Sequence, residues 1–99
     1  MNPAIVPVTF SEDASKHILF LLSNSQIPEG YYLRVGTLGG GCAGVRYVIG
    51  FDEKKANDRL IDTEHFPILI ANKDFMHLMG KRIDFLEGIN ESGFVFSDF

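Results

Sequence analysis

The sequence has no tryptophan and a single cysteine, Cys42, among its 99 residues. One cysteine excludes an internal disulfide, so the fold cannot be stapled and must stand on its core. Clustered positive charge is missing as well. Nine Lys and Arg stand against thirteen Asp and Glu, for a net charge of −4, and Lys54-Lys55 is the one adjacent pair of lysines. Phosphate backbones are held by clustered cations, so no nucleic-acid partner is expected. Long apolar runs are absent: the stretches around Ile18 to Leu22 and Phe66 to Ala71 fall far short of the roughly 20 apolar residues a membrane-crossing helix needs. No membrane partner is expected. Met1-Asn2-Pro3-Ala4 lacks the basic start and apolar stretch of a signal peptide, which together with the lone cysteine makes a reducing cytoplasm the expected location.

What is present is apolar bulk. Hydrophobic residues make up 45% of the chain, and nine Phe with three Tyr replace the missing tryptophan as core aromatics. That composition at this length predicts one packed domain over residues 1–99.

Strands and helices can be placed by periodicity. Val6 to Phe10 reads as a short strand. Ser11 is placed to cap a helix, with Glu12 and Asp13 in the first turn where negative charge suits the dipole. Ala14, Ile18, Leu21 and Leu22 recur at helical spacing, predicting a helix from about Glu12 to Ser25. Leu19 and Phe20 widen its apolar face, which predicts heavy coverage. After the turn at Pro28-Glu29-Gly30, Tyr31 to Leu38 and Val45 to Phe51 read as strands, the second with Val45, Tyr47, Ile49 and Phe51 on one face. Asp52 to Asp58 reads as a polar turn or hairpin tip, Arg59 to Thr63 as a short strand, and Phe66 to Ala71 as a buried one. Asn72 is placed to cap a short helix to about Met79, with Phe75, Met76 and Met79 as its apolar positions and Gly80 as its stop. Ile83 to Leu86 and Phe94 to Phe96 are further strands around a loop from Gly88 to Gly93. The sum is a β-rich α+β domain with two short helices. Periodicity leaves open whether the first helix makes a parallel crossover or carries the chain to another sheet.

The densest chemical signal is Gly39-Gly40-Gly41-Cys42-Ala43-Gly44, with four glycines in the last six residues before Val45 counted from Gly39. Such a run makes a loop of unusual backbone freedom. It formally matches G-x-G-x-x-G, but a dinucleotide site needs a helix next, and Val45 to Phe51 alternates as a strand. No Lys-Ser or Lys-Thr follows to make a phosphate loop. Small neighbours leave a thiolate accessible, and thiolate is a soft ligand suited to iron–sulfur clusters, copper(I) and zinc. The alternative is a cysteine that serves as a small buried hydrophobe. His17, His65 and His77 are the only imidazoles that could serve a nucleophilic cysteine, and none stands in a metal-ligand spacing. Asp52-Glu53 and Glu12-Asp13 read as a solvated turn and a helix start. No base or oxyanion arrangement is visible, so an enzyme is not expected.

The order of these features is similar to a known family. Thr9-Phe10-Ser11-Glu12-Asp13-Ala14 opens the helix. Tyr32-Leu33-Arg34-Val35-Gly36 leads into Gly40-Gly41-Cys42-Ala43-Gly44-Val45-Arg46-Tyr47, then Phe51. Ile83-Asp84-Phe85, Gly88-Ile89 and Gly93-Phe94-Val95-Phe96 follow. This resembles the HesB-like family of A-type iron–sulfur carriers across nearly the whole chain. The resemblance implies a HesB-like compact fold of mixed sheets, a pseudo-barrel or sandwich. It implies iron or an iron–sulfur cluster as cofactor, with Cys42 as metal and cluster ligand, held between subunits of a homodimer. It implies iron–sulfur assembly proteins or apo-protein acceptors as partners.

The sequence also departs from that family. An Asn-Pro-Asn stretch and a Cys-x-Cys pair follow the Gly-Phe-x-Phe strand there, whereas here Phe96 is followed by Ser97-Asp98-Phe99. A [2Fe–2S] cluster takes four ligands. One cysteine per chain gives two in a dimer and leaves the others to glutathione, a carboxylate, a histidine or a partner's cysteines. A member that keeps the fold, binds no cluster and acts as a protein-binding module is the alternative.

Overall fold

In the computed structural model, which describes residues 6–40, 44–88 and 92–98, strand β1 (Val8–Phe10) runs into helix α1 (Glu12–Asn24). Strands β2 (Tyr31–Gly39), β3 (Val45–Glu53), β4 (Asp58–Asp62) and β5 (Pro67–Ala71) follow. A 3-10 turn (Asn72–Asp74) and helix α2 (Phe75–Leu78) then lead to β6 (Lys81–Glu87) and β7 (Ser92–Asp98). Two mixed sheets result. One has the order β1-β6-β7, with β1 parallel to β6. The other has the order β3-β2-β5-β4, with β2 parallel to β5 and the remaining pairs antiparallel. The expected β-rich mixed architecture is present, and α1 carries the chain from one sheet to the other.

The start of α1 follows from Ser11. Its backbone is extended, and its Oγ accepts the Ala14 amide at 3.1 Å, satisfying one of the helix's orphan donors. The same hydroxyl donates to Asp84 Oδ1 at 2.6 Å, and the Ser11 amide donates to the Ile83 carbonyl at 2.9 Å. The cap therefore also ties the helix start to β6.

Coverage of α1 is much lighter than its periodicity suggests. Ala14 and Ile18 are its buried residues, while Leu19, Phe20 and Leu22 are 39%, 58% and 37% exposed. The physical reason is the narrow contact. The helix lies against β6 along one i, i+4 stripe, and an apolar face in sequence does not guarantee a neighbour to cover it.

The core lies between the sheets. Leu33, Val35, Ile68, Ile70, Leu78, Ile83 and Ile18 are fully buried, with Tyr47, Ile49, Phe51, Phe75, Phe94 and Phe96 packed half-buried around them. Strand β5 buries Ile68, Leu69 and Ile70 in succession, as expected for an interior strand covered on both faces. Tyr47 of β3 stacks on Phe96 of β7 with centroids 5.2 Å apart, closing the two sheets on each other.

The second helix is shorter than its apolar spacing predicts. Asn72 lies inside the 3-10 turn and caps nothing; its Oδ1 accepts from Arg59 Nε at 2.7 Å. Leu78 fills the core, whereas Met76 and Met79 are exposed. Gly80 ends the segment at φ +77°, a left-handed conformation that favours glycine. The final hairpin is longer than expected, with register running from Lys81↔Asp98 to Glu87↔Ser92. Among the described residues, no helix is long and apolar enough to cross a membrane.

Candidate functional site

The expected ligand, Cys42, lies in sequence between strands β2 and β3. That ladder is antiparallel from Tyr31↔Glu53 to Gly39↔Val45. Gly39, Gly40 and Gly44 have φ of +83°, +140° and +79°, so the flanks of the turn use backbone conformations that side chains resist. A Cβ on Gly39 would lie 3.4 Å from the Gly44 carbonyl oxygen, so the two flanks run close together. Gly41, Cys42 and Ala43 lie outside the described residues. Because β3 follows the turn, the G-x-G-x-x-G pattern opens no helix and offers no dinucleotide site.

The hairpin is held by two buried carboxylates that sequence reasoning did not single out. Asp58, at the start of β4, accepts from Arg34 Nη1 at 2.7 Å and from Arg34 Nη2, a forked pair, and also takes the Lys55 amide at 2.7 Å. Arg34 Nε reaches Asp52 Oδ2 at 2.9 Å. The Arg34 guanidinium, hydrogen-bonded to Asp58, brings that carboxyl down to about 2 against the cost of burial, and Asp58 in turn raises Arg34. Asp52 and Asp58, read from sequence as part of a solvated turn, are thus a strand end and a buried anchor.

Asp74, in the 3-10 turn, is the second carboxylate and is 5% exposed. Its Oδ1 accepts from the Thr37 hydroxyl at 2.5 Å and from Lys73 Nζ at 2.8 Å. Burial pushes its carboxyl up, but the Lys73 ammonium and the Thr37 hydroxyl and amide outweigh burial, so the net direction is down. No spacing rule announces either contact: Arg34 and Asp58 are 24 residues apart, and Thr37 and Asp74 are 37.

The histidines stand apart. His17 stacks on Phe85, centroids 3.8 Å apart, with Phe94 at 5.7 Å, which is a packing role. His65 lies 3.8 Å from Glu64 on the surface, and His77 is exposed. Among the described residues, no three His, Cys, Asp or Glu side chains converge as a metal site.

The fold is a mixed two-sheet domain whose longest hairpin, β2–β3, spans in sequence the glycine-rich segment that contains Cys42, and comparison with known proteins places that fold in a family. The family model for iron–sulphur cluster biosynthesis matches residues 6–99. The iron–sulfur cluster insertion protein ErpA of Glaesserella parasuis is 35% identical over 96 residues, covering 96% of this chain and 84% of that protein. ErpA of Hydrogenovibrio crunogenus has the same identity and coverage. Among solved structures, Escherichia coli SufA, involved in biosynthesis of iron–sulfur clusters, superposes with a TM-score of 0.75 at 24% identity, over 98% of this chain and 87% of its own. IscA with the [2Fe–2S] cluster gives a TM-score of 0.72 at 22% identity, over 92% and 84%. The chain belongs to the iron–sulphur cluster biosynthesis family and shares its fold.

Proposed function

We propose that this protein is an A-type carrier or accessory protein of iron–sulfur cluster assembly, not an enzyme. It takes iron or a cluster as cargo through Cys42, in an oligomer such as a homodimer, and delivers it to apo-protein acceptors in the cytoplasm. The reading is supported by one combination: the family match runs from residue 6 to residue 99, and the only cysteine lies in sequence within the glycine-rich segment between the end of β2 and the start of β3. Relatives named as cluster insertion proteins support delivery to acceptors as the direction of traffic.

The donor chemistry fits in kind. Thiolate is the usual protein ligand of iron in such clusters, and glycines beside it leave room for a large anionic group. In number, one cysteine per chain supplies two of the four ligands from a dimer, and the remainder comes from a small thiol, a carboxylate, a histidine or the acceptor's own cysteines. That single thiolate is also what favours the second reading, a protein-binding module that keeps the fold and carries no cluster.

Anaerobic reconstitution with iron and sulfide, with glutathione present, separates the two. Visible absorption bands with bound iron in the native chain, lost in Cys42→Ser, are expected of the carrier. No bound iron in either protein would leave the binding module.

A further inference from the structure

The β2–β3 hairpin outruns the sheet that supports it. Parallel pairing of β2 with β5 covers Leu33↔Ile68 and Arg34↔Leu69, whereas β2 pairs with β3 as far as Gly39↔Val45. The β2–β5 ladder stops at Arg34, and β5, which on this register reaches Gly36 at Ala71, then turns away into the 3-10 segment and leaves the edge of β2 from Thr37 onward without a strand beside it. An edge left bare there would have unpaired amides and carbonyls, yet Val35, Gly36 and Thr37 are all buried.

The residues that leave β5 fill the gap with side chains. Asp74 accepts from the Thr37 hydroxyl at 2.5 Å, and Lys73 Nζ reaches both the Thr37 carbonyl at 3.5 Å and Asp74 Oδ1 at 2.8 Å. Acceptor and donor thus meet β2 at one residue, Asp74 on the Thr37 hydroxyl and Lys73 on the Thr37 carbonyl. The approach depends on Gly36: a Cβ there would stand 3.0 Å from Asp74 Oδ2. Together Gly36, Thr37, Lys73 and Asp74 form a clasp on the arm that leads, five residues on, to Cys42.

We propose that Asp74, with Lys73, is a positioning residue that fixes the unsupported outer half of the β2–β3 hairpin and so sets the presentation of the Cys42 thiol. The cluster-binding consequence rests on the function proposed above; the positioning itself does not. Asp74 acts through Thr37 and the β2 backbone, whose outer residues are paired only to β3. Asp58 and Arg34 anchor the inner half of the same strand, so the two carboxylates divide the hairpin between them.

The test uses the full chain without cargo, with Thr37→Val, Asp74→Asn and Thr37→Ser. Two quantities are measured: amide hydrogen exchange, and the rate of Cys42 alkylation by iodoacetamide. Thr37→Val and Asp74→Asn are expected to speed exchange over residues 35–39 and 45–49 by about tenfold or more, leaving residues 66–71 unchanged. Both should also alter the alkylation rate severalfold, while Thr37→Ser, which keeps the hydroxyl, behaves as the native chain. Unchanged exchange in the outer hairpin, an unchanged alkylation rate, or loss of protection spread evenly over the chain would overturn the proposal. Reconstitution of the same proteins then separates the two ideas. If the native chain takes no iron, the carrier reading fails while the exchange and alkylation results still decide the clasp.

Discussion

Arg34 of β2 and Asp58 at the start of β4 form a forked ion pair between the two strands that flank β5 in the larger sheet, with Nη1 to Oδ1 at 2.7 Å and Nη2 on Oδ2. Their side chains are 19% and 4% exposed. At that burial the pair matters mainly for what happens when one member is lost, since the other is left charged and desolvated. Asp58→Ala is expected to cost about 2–3 kcal/mol in urea denaturation. Arg34→Lys should recover little of the pair's contribution, because an ammonium cannot reproduce two parallel N–H donors. An Asp58→Ala variant as stable as the native chain would mean that Asp52, also bonded to Arg34, suffices alone.

The same pair sets a pH dependence. Asp58 is lowered from 3.8 to about 2 by the Arg34 guanidinium. A carboxyl lowered in the folded state binds protons more readily when unfolded. Its stabilisation is therefore complete above about 4 and lost as pH falls through about 2. Urea midpoints measured from pH 5 down to pH 2 should fall more steeply in the native chain than in Asp58→Asn. Parallel curves would remove Asp58 from the acid transition.

Helix α1 allows a contrast between two apolar residues that look equivalent in sequence. Ile18 is fully buried and Phe20 is 58% exposed. Ile18→Ala is expected to lose about 2–4 kcal/mol, the cost of removed burial plus the cavity left behind. Phe20→Gln should lose less than about 1 kcal/mol. Thermal or urea unfolding of the two variants checks this, and equal losses would mean that the helix is covered as its sequence suggests.

That contrast marks how far the sequence can be read. Alternation at Val45, Tyr47, Ile49 and Phe51 placed β3 and its inward face correctly, because a strand's side chains must alternate whatever lies beyond them. The Ser11 cap and the Gly80 stop were equally legible, since both are local. Coverage of Leu19 and Phe20 was not, because it depends on a partner surface 60 or more residues away, as β6 is. The parallel pairings β1–β6 and β2–β5, and the reach of Asp58 and Asp74 onto β2, have the same origin. In the candidate site, sequence named the thiol at position 42, which lies outside the described residues, and missed the carboxylates that hold its hairpin.

Two glycines should fail for different reasons. Gly80 has φ +77° and open space where a Cβ would go, so Gly80→Ala meets only backbone strain, about 1 kcal/mol. Gly36 has no such φ, but a Cβ there would press to 3.0 Å from Asp74 Oδ2. Gly36→Ala must therefore displace the carboxylate from Thr37. In the double variant Gly36→Ala with Asp74→Ala the second change should cost less than it does alone, a coupling readable in a double-mutant cycle. Additive losses would mean that the carboxylate shifts aside without releasing Thr37.

Cargo and assembly should be linked through the single thiol. With one cysteine per chain of 11.1 kDa, a cluster held by protein thiolates needs at least two chains, so loading binds the dimer more tightly than the monomer and draws the equilibrium toward it. Light scattering of the reconstituted native chain is expected to show a mass near twice that of one chain, with iron and absorbance eluting in the same peak. Cys42→Ser, put through the same procedure, should keep the mass of the unloaded protein and melt within about 2 °C of it, since the described core residues lie on the strands and helices and not in the glycine-rich segment. A native chain that carries iron as a monomer would place the remaining ligands within one chain or on a small thiol, and would separate cargo binding from dimer formation.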